Sequence, residues 1–250
     1  LTKFGRNKMI KRSGIIVFIY GLFSVLGPIV YAQEMKQEIG IGIGIADVDG
    51  EDSGFPLDGD IDVPTLYYGL GLSSGLTFDL RLGIGDGEFK LTTGEKTDYE
   101  YTSIDMRMGR IFCLSESCHL KIRPYIGYNR FSSENELVAF DTSIEVDQKR
   151  TKIPLGAEFS INFGRNEIGL DLQTGYKSDE SQDISVLGID QDADGEWSPR
   201  VEVYARHTFA NRLFLQAEYS YVEDDFDESG GNRSASEETS AFMFSIGKQF

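Results

Sequence analysis

Large apolar side chains fall on alternate positions through ten stretches of this chain. The clearest sets Leu76, Phe78, Leu80, Leu82 and Ile84 against Thr77, Asp79, Arg81, Gly83 and Gly85. A period of two, apolar on one side and small or polar on the other, describes a strand between two unlike environments. The first stretch, Glu38 to Ala46, opposes Ile39, Ile41, Ile43 and Ile45 to three glycines. The second carries Leu66, Tyr68, Leu70 and Leu72 on one face, and the fourth opposes Ile104, Met106 and Met108 to Asp105 and Arg107. Leu120, Ile122, Pro124, Ile126 and Tyr128 form the apolar row of the fifth, with Lys121, Arg123 and Tyr125 opposite. The sixth runs from Ile153 to Phe163 with Glu158 on the polar side, and the seventh opposes Ile168, Leu170, Leu172 and Tyr176 to Asp171 and Gln173. Glu202, Tyr204 and Arg206 mark the polar face of the eighth, Gln216 and Glu218 that of the ninth. The last stretch, Glu238 to Phe250, turns Phe242, Phe244, Ile246 and Phe250 to one side.

Short turns and long polar segments alternate between these stretches. Ser73-Ser74-Gly75, Cys113 to Cys118, Gly164-Arg165-Asn166 and Ala210-Asn211 are the short ones. The pattern predicts an all-β fold: a transmembrane antiparallel up-and-down barrel of about ten strands (eight as the alternative), with short periplasmic turns and long acidic external loops. A soluble sandwich or lipocalin-type barrel shares the alternation but buries its apolar face. The polar parity here holds too many charges and glycines to make an apolar core. Tyr and Phe also recur near the strand ends, as they do in interfacial girdles.

The N-terminus is different in kind. Lys11 and Arg12 precede an uncharged run from Gly14 to Ala32, and Val30-Tyr31-Ala32 has the spacing of a cleavage site. Residues 1–32 therefore read as a secretory signal peptide starting at Met9 with an upstream extension, and residues 33–250 as one barrel domain. Removal of Lys3, Arg6, Lys8, Lys11 and Arg12 leaves 19 basic against 41 acidic side chains, a net charge of −22. Such a balance argues against nucleic acid as a partner. The signal peptide, the hairpin rhythm, the Pro124-Tyr125-Ile126-Gly127-Tyr128 stretch and the terminal Phe250 together resemble the OmpA-like outer-membrane β-barrel superfamily. Two features depart from that pattern: ten strands where most members have eight, and Lys248 in the closing apolar row. The resemblance implies the outer membrane of a Gram-negative bacterium, with lipid and lipopolysaccharide as surroundings. It also implies that Phe242, Phe244, Ile246 and Phe250 form the signal read by the barrel assembly machinery.

Candidate chemistry lies in three places. Asp79, Arg81, Asp105, Arg107, Lys121, Arg123, Glu158, Asp171, Glu202, Arg206 and Glu218 share the inward parity and would meet in one lumen. They form either a salt-bridged plug or a narrow charged water path, since unpaired burial is too costly. Asp190, Asp192 and Asp194 with Gly195 match the opening of a calcium loop, although Val201 stands where a bidentate Glu is expected. No other cofactor is implied. Cys113 and Cys118 are the only cysteines and are expected to form a disulfide in an oxidising compartment. Catalysis finds little support, because His119 and His207 both map to the short-turn half without a paired nucleophile. The sequence leaves a structural or small-pore barrel as the main expectation, with a surface binding module acting through acidic loops beside it.

Overall fold

A computed structural model describes residues 35–250 apart from 53–54, 91–95, 140–141, 185–188, 193–196 and 228–233. The expected signal peptide lies outside the described residues. Ten long strands run antiparallel: β1 (Lys36–Asp52), β2 (Phe55–Gly71), β3 (Leu76–Lys90), β4 (Lys96–Arg110), β6 (Leu120–Ala139), β7 (Thr142–Phe163), β8 (Asn166–Ile184), β10 (Trp197–Thr208), β11 (Leu213–Asp227) and β12 (Ser234–Gln249). Two short pieces, β5 (Phe112–Cys113) and β9 (Ile189–Asp192), pair with β6 and β8. Each long strand pairs with its neighbours, β8 with β10, and β12 returns to β1 from Glu38↔Gln249 to Asp52↔Ala235. The sheet is a closed ten-stranded barrel, as the alternation predicts.

All four short turns sit at one end. Gly75 and Gly164 occupy the left-handed region, at φ +82 and +67, which glycine enters without a Cβ clash. The Cys113–Cys118 disulfide closes the longest of these turns, with its Cα atoms 4.7 Å apart. At this same end the Phe250 N–H donates to the Gln37 carbonyl (2.8 Å), so the last residue is tied across the β12–β1 seam.

The outward parity is apolar and bare. Ile43 is 72% exposed and Phe244 61%, while Gly40, Gly42 and Gly44 between them are buried. Along β2, β3, β4 and β6 the apolar row gives way to acid at one height, because Asp62 lies opposite Asp86, Asp86 opposite Glu100, and Glu100 opposite Glu134. The strands do not stop there. β7 has 22 residues, about twice what a membrane crossing requires. Much of what the sequence presents as acidic loop is therefore paired strand, including Asp47↔Asp60 between β1 and β2. The outward face of that extension meets water, so the apolar row that marks the rest of the wall is missing there.

Inward aromatics lie flat over glycines. A Cβ on Gly169 would come within 2.2 Å of the Tyr204 ring, one on Gly156 within 2.5 Å of Tyr125, and one on Gly247 within 2.3 Å of Phe214. These glycines leave the room the rings occupy. Gly169→Ala is expected to destabilise the barrel by about 1–3 kcal/mol through overpacking. Gly175→Ala, whose Cβ would meet only ordinary contacts at 3.5 Å, should be near neutral. Urea unfolding in detergent, followed by Trp197 fluorescence, compares the two.

Candidate functional site: the charged lumen

The inward side chains form three tiers. At the short-turn end, β10 delivers Arg206 to Glu38 of β1 (2.8 Å) and to Gln216 of β11 (2.7 Å). Gln249 completes this tier by donating to the other oxygen of Glu38 at 2.8 Å. The Arg206 guanidinium also lies 4.5 Å from the Phe214 ring centroid. Its stem and plane are thus held from both sides, by packing and by charge-assisted bonds.

The middle tier spans the lumen. Arg81 of β3 reaches Glu218 (2.8 Å) and Glu202 (3.3 Å) on β11 and β10. β3 and β10 are five strands apart in a ring of ten, so this contact joins opposite walls. Arg107 meets Asp171 of β8 (2.6 Å) and Asp105 (3.0 Å), and stands 3.8 Å from Glu202. Arg200 adds a bond to Glu202 at 2.9 Å, and Arg123 links Asp79 with Glu158. Four arginines thus face six carboxylates, and phenols donate to part of the excess. Tyr125 donates to Asp171 at 2.8 Å. The Tyr204 hydroxyl lies 2.5 Å from Glu158 and 2.7 Å from Glu167. Glu202 is 2% exposed and Arg107 4%, so these charges are held by each other and not by bulk water.

The third tier, toward the loop end, is divided. On one wall Lys152 binds Asp224 at 2.6 Å and Arg150 binds Glu237 at 2.9 Å, with Lys177 3.8 Å from Asp224. On the other, Ala46, Val48, Ile61 and Tyr101 form a buried apolar cluster extended by Val63, Phe131 and Ala241. Tyr101 stacks on Phe131 (5.6 Å), and Arg150 reaches over that ring from the charged wall at 5.8 Å. Beneath the middle tier a cavity of about 650 Å³ runs down to the short-turn rim at Ile111, Arg165 and Ala210. Arg81, Arg107, Glu202 and Glu218 line its upper part.

Of the eleven charges expected in the lumen, ten are ion-paired. Lys121 is the exception among the described residues; it faces the Asn162 amide oxygen at 2.6 Å once that amide is turned, near the short-turn rim. The sequence reading missed Glu38, Glu167 and Arg200 in the lower two tiers, and Arg150, Lys152, Lys177, Asp224 and Glu237 above them. The parity of these last five continues that of Glu158, Asp171, Glu218 and Met243, and following it beyond the apolar rows finds them. Asp194 of the calcium-like motif lies outside the described residues. The backbone of Asp190 and Asp192 is extended on β9, paired with Asp183 and Ser181. His207 shares a hydrogen bond with Asn166 (2.8 Å) on the outside of the barrel, and His119 is exposed beside the disulfide turn. Phe242, Phe244, Ile246 and Phe250 all point outward and are exposed.

An outward apolar belt, a polar filled interior and full strand closure define an outer-membrane β-barrel fold. Solved structures agree. The chain superposes on the translocator domain of the autotransporter NalP from Neisseria meningitidis with a TM-score of 0.50 and 11% identity, over 98% of each chain. It superposes on the outer-membrane protease OmpT from Escherichia coli with a TM-score of 0.55 and 9% identity, over 89% of this chain and 99% of that one. The sequence matches no family model and no curated protein.

Arg107→Ala is expected to destabilise the barrel by about 3–5 kcal/mol, because it leaves Asp105 and Asp171 buried without their cation. Lys121→Met, which breaks no ion pair, should cost less than about 1 kcal/mol. Chemical unfolding of the two variants side by side checks the difference.

Proposed function

We propose that the protein is a closed-lumen, structural barrel of the bacterial outer membrane, with its short turns in the periplasm and its strand extensions outside the cell. The observation that carries this is the Arg81 bridge to Glu202 and Glu218, which crosses the full diameter at mid-height. The tier above adds an apolar wall against which water is poorly held. An ion entering from the short-turn end would reach the cavity and then have to displace buried ion pairs to continue. Membership of the OmpA-like superfamily belongs to the same proposal, supported by the Pro124–Tyr128 stretch and the aromatic end of β12. Assembly through β12 fits with its exposed Phe242, Phe244, Ile246 and Phe250.

The reading is also non-catalytic. Neither His119 nor His207 has a carboxylate partner among the described residues, and both sit at the short-turn end. Planar-bilayer recording tests the proposal. Wild-type protein should add no conductance over lipid, and Arg107→Ala combined with Arg81→Ala should add a measurable one. A steady wild-type conductance would sink the closed-lumen reading in favour of a small pore.

A second reading, a surface module acting through its acidic end, draws on the outward carboxylates of β1 to β6. Asp62, Asp86, Glu100 and Glu134 stand directly opposite one another on adjacent strands, and Asp47, Asp60 and Glu88 do the same one step higher. Like charges in directly opposed positions repel. Divalent cations that relieve this repulsion would also bridge the protein to lipopolysaccharide phosphates. Melting should rise with Ca²⁺ or Mg²⁺ relative to chelator, and Glu100→Gln should shrink that rise. Equal melting temperatures with and without chelator would count against this role.

A further inference from the structure

The short-turn rim carries charge of the opposite kind. Arg110 at the end of β4, Arg165 in the β7–β8 turn, Arg212 in the β10–β11 turn and Lys248 near the end of β12 are all exposed. None of the four makes an ion pair among the described residues, although the chain as a whole has 41 acids against 24 bases. The one exposed acidic side chain on this rim, among the described residues, is Glu116 in the disulfide turn. Glu38 and Glu167 lie on the inner side and are engaged by Arg206 and Tyr204.

Two of these cations point sideways, not down. Arg110 and Lys248 continue the outward rows of Met106 and Met108 and of Phe244 and Ile246, so they border the apolar belt itself. Each lies over an exposed ring: Arg110 is 5.6 Å from the Phe112 centroid, and Lys248 is 5.4 Å from Phe250. Phe163 and Phe209 occupy equivalent places at the ends of β7 and β10, 48% and 42% exposed. Arg212 is brought beside β12 by the Gln249 N–H, which donates to its carbonyl at 2.9 Å. Aromatic rings settle at the level where hydrocarbon meets headgroup. A cation held over such a ring, with no protein carboxylate, is placed where a lipid phosphate lies.

We propose that this rim is a binding surface for anionic phospholipid in the inner leaflet, recognised through its phosphodiester and net negative charge. The inference rests on the reading of the chain as an outer-membrane barrel with periplasmic short turns. An acidic soluble protein is the weaker occupant, because two of the cations face along the membrane plane and share their rows with lipid-facing residues. Each Lys or Arg near an anionic surface favours it about fivefold.

The full chain is reconstituted in nanodiscs holding equal parts phosphatidylglycerol and phosphatidylcholine, and the lipids that stay with the released protein are counted by native mass spectrometry. Wild-type protein should retain phosphatidylglycerol over phosphatidylcholine by at least about fivefold. The preference should vanish in Arg110→Gln/Arg165→Gln/Arg212→Gln/Lys248→Gln, whose positions lie outside the lumen network, and in about 1 M salt, which screens exposed charge. Excess inorganic phosphate should not remove it. Heat-modifiable gel migration reports insertion separately for both proteins. Failure of the wild type to insert overturns the membrane reading and this inference with it. Insertion with lipids retained at the bulk ratio, or an equal preference in the quadruple variant, overturns this inference alone.

Discussion

The structure depends on one constraint: in hydrocarbon, every backbone N–H and C=O must find its partner within the sheet. The fifteen paired positions between β1 and β12 meet it by abolishing the last open edge. Closure then divides the side chains into two populations that cannot exchange, since a one-residue slip would turn Ile41, Ile43 and Ile45 inward and three glycines outward. Register is therefore locked by the outer face, and the inner face is left to solve a packing problem of fixed diameter.

Ten strands set that diameter between barrels filled by ordinary side chains and barrels left open as channels. Long arginines suit the gap. Arg81 reaches from β3 to β10 and β11, a span that no aliphatic side chain matches with a directional contact at its far end. Rings laid over Gly156, Gly169 and Gly247 fill the space beside the walls, and the ion pairs fill the centre. A polar filling has a further consequence for export. Only alternate residues of each strand are apolar, so the mean hydropathy of the chain is −0.26, and among the described residues no helix is long and apolar enough to cross a membrane. An apolar core of the same size would remove that difference.

The wall was legible in the sequence because it faces two solvents of opposite character. Leu76 to Ile84 alternates almost without interruption, and the inward row opposite it named Asp79 and Arg81 correctly as lumen residues. The extensions were not legible, since the outward faces of β6 and β7 beyond Asn129 and Lys152 meet water and carry no apolar row. A register shift between Thr151 and Lys152 also changes the phase against β8 at that height. Partner choice was hidden for a different reason. Arg81 and Glu218 are 137 residues apart, and only the order of strands around the ring brings them together. The disulfide was readable from spacing and compartment alone.

Charge is sorted along the barrel axis as sharply as polarity is sorted across its wall. Inside, ten of the eleven expected charges are ion-paired, although carboxylates outnumber arginines in the middle tier. The outward acids begin at the height of Asp62, Asp86, Glu100 and Glu134, and the unpaired cations Arg110 and Lys248 sit at the opposite limit of the belt. Lys248 thus has a reason to interrupt its row. It stands where the apolar belt ends, its stem can lie against hydrocarbon, and its ammonium reaches the interface over Phe250. The residue that departs from the pattern of the closing strand marks the plane where its apolar row ends, which in the proposed outer-membrane setting is where the strand leaves the lipid.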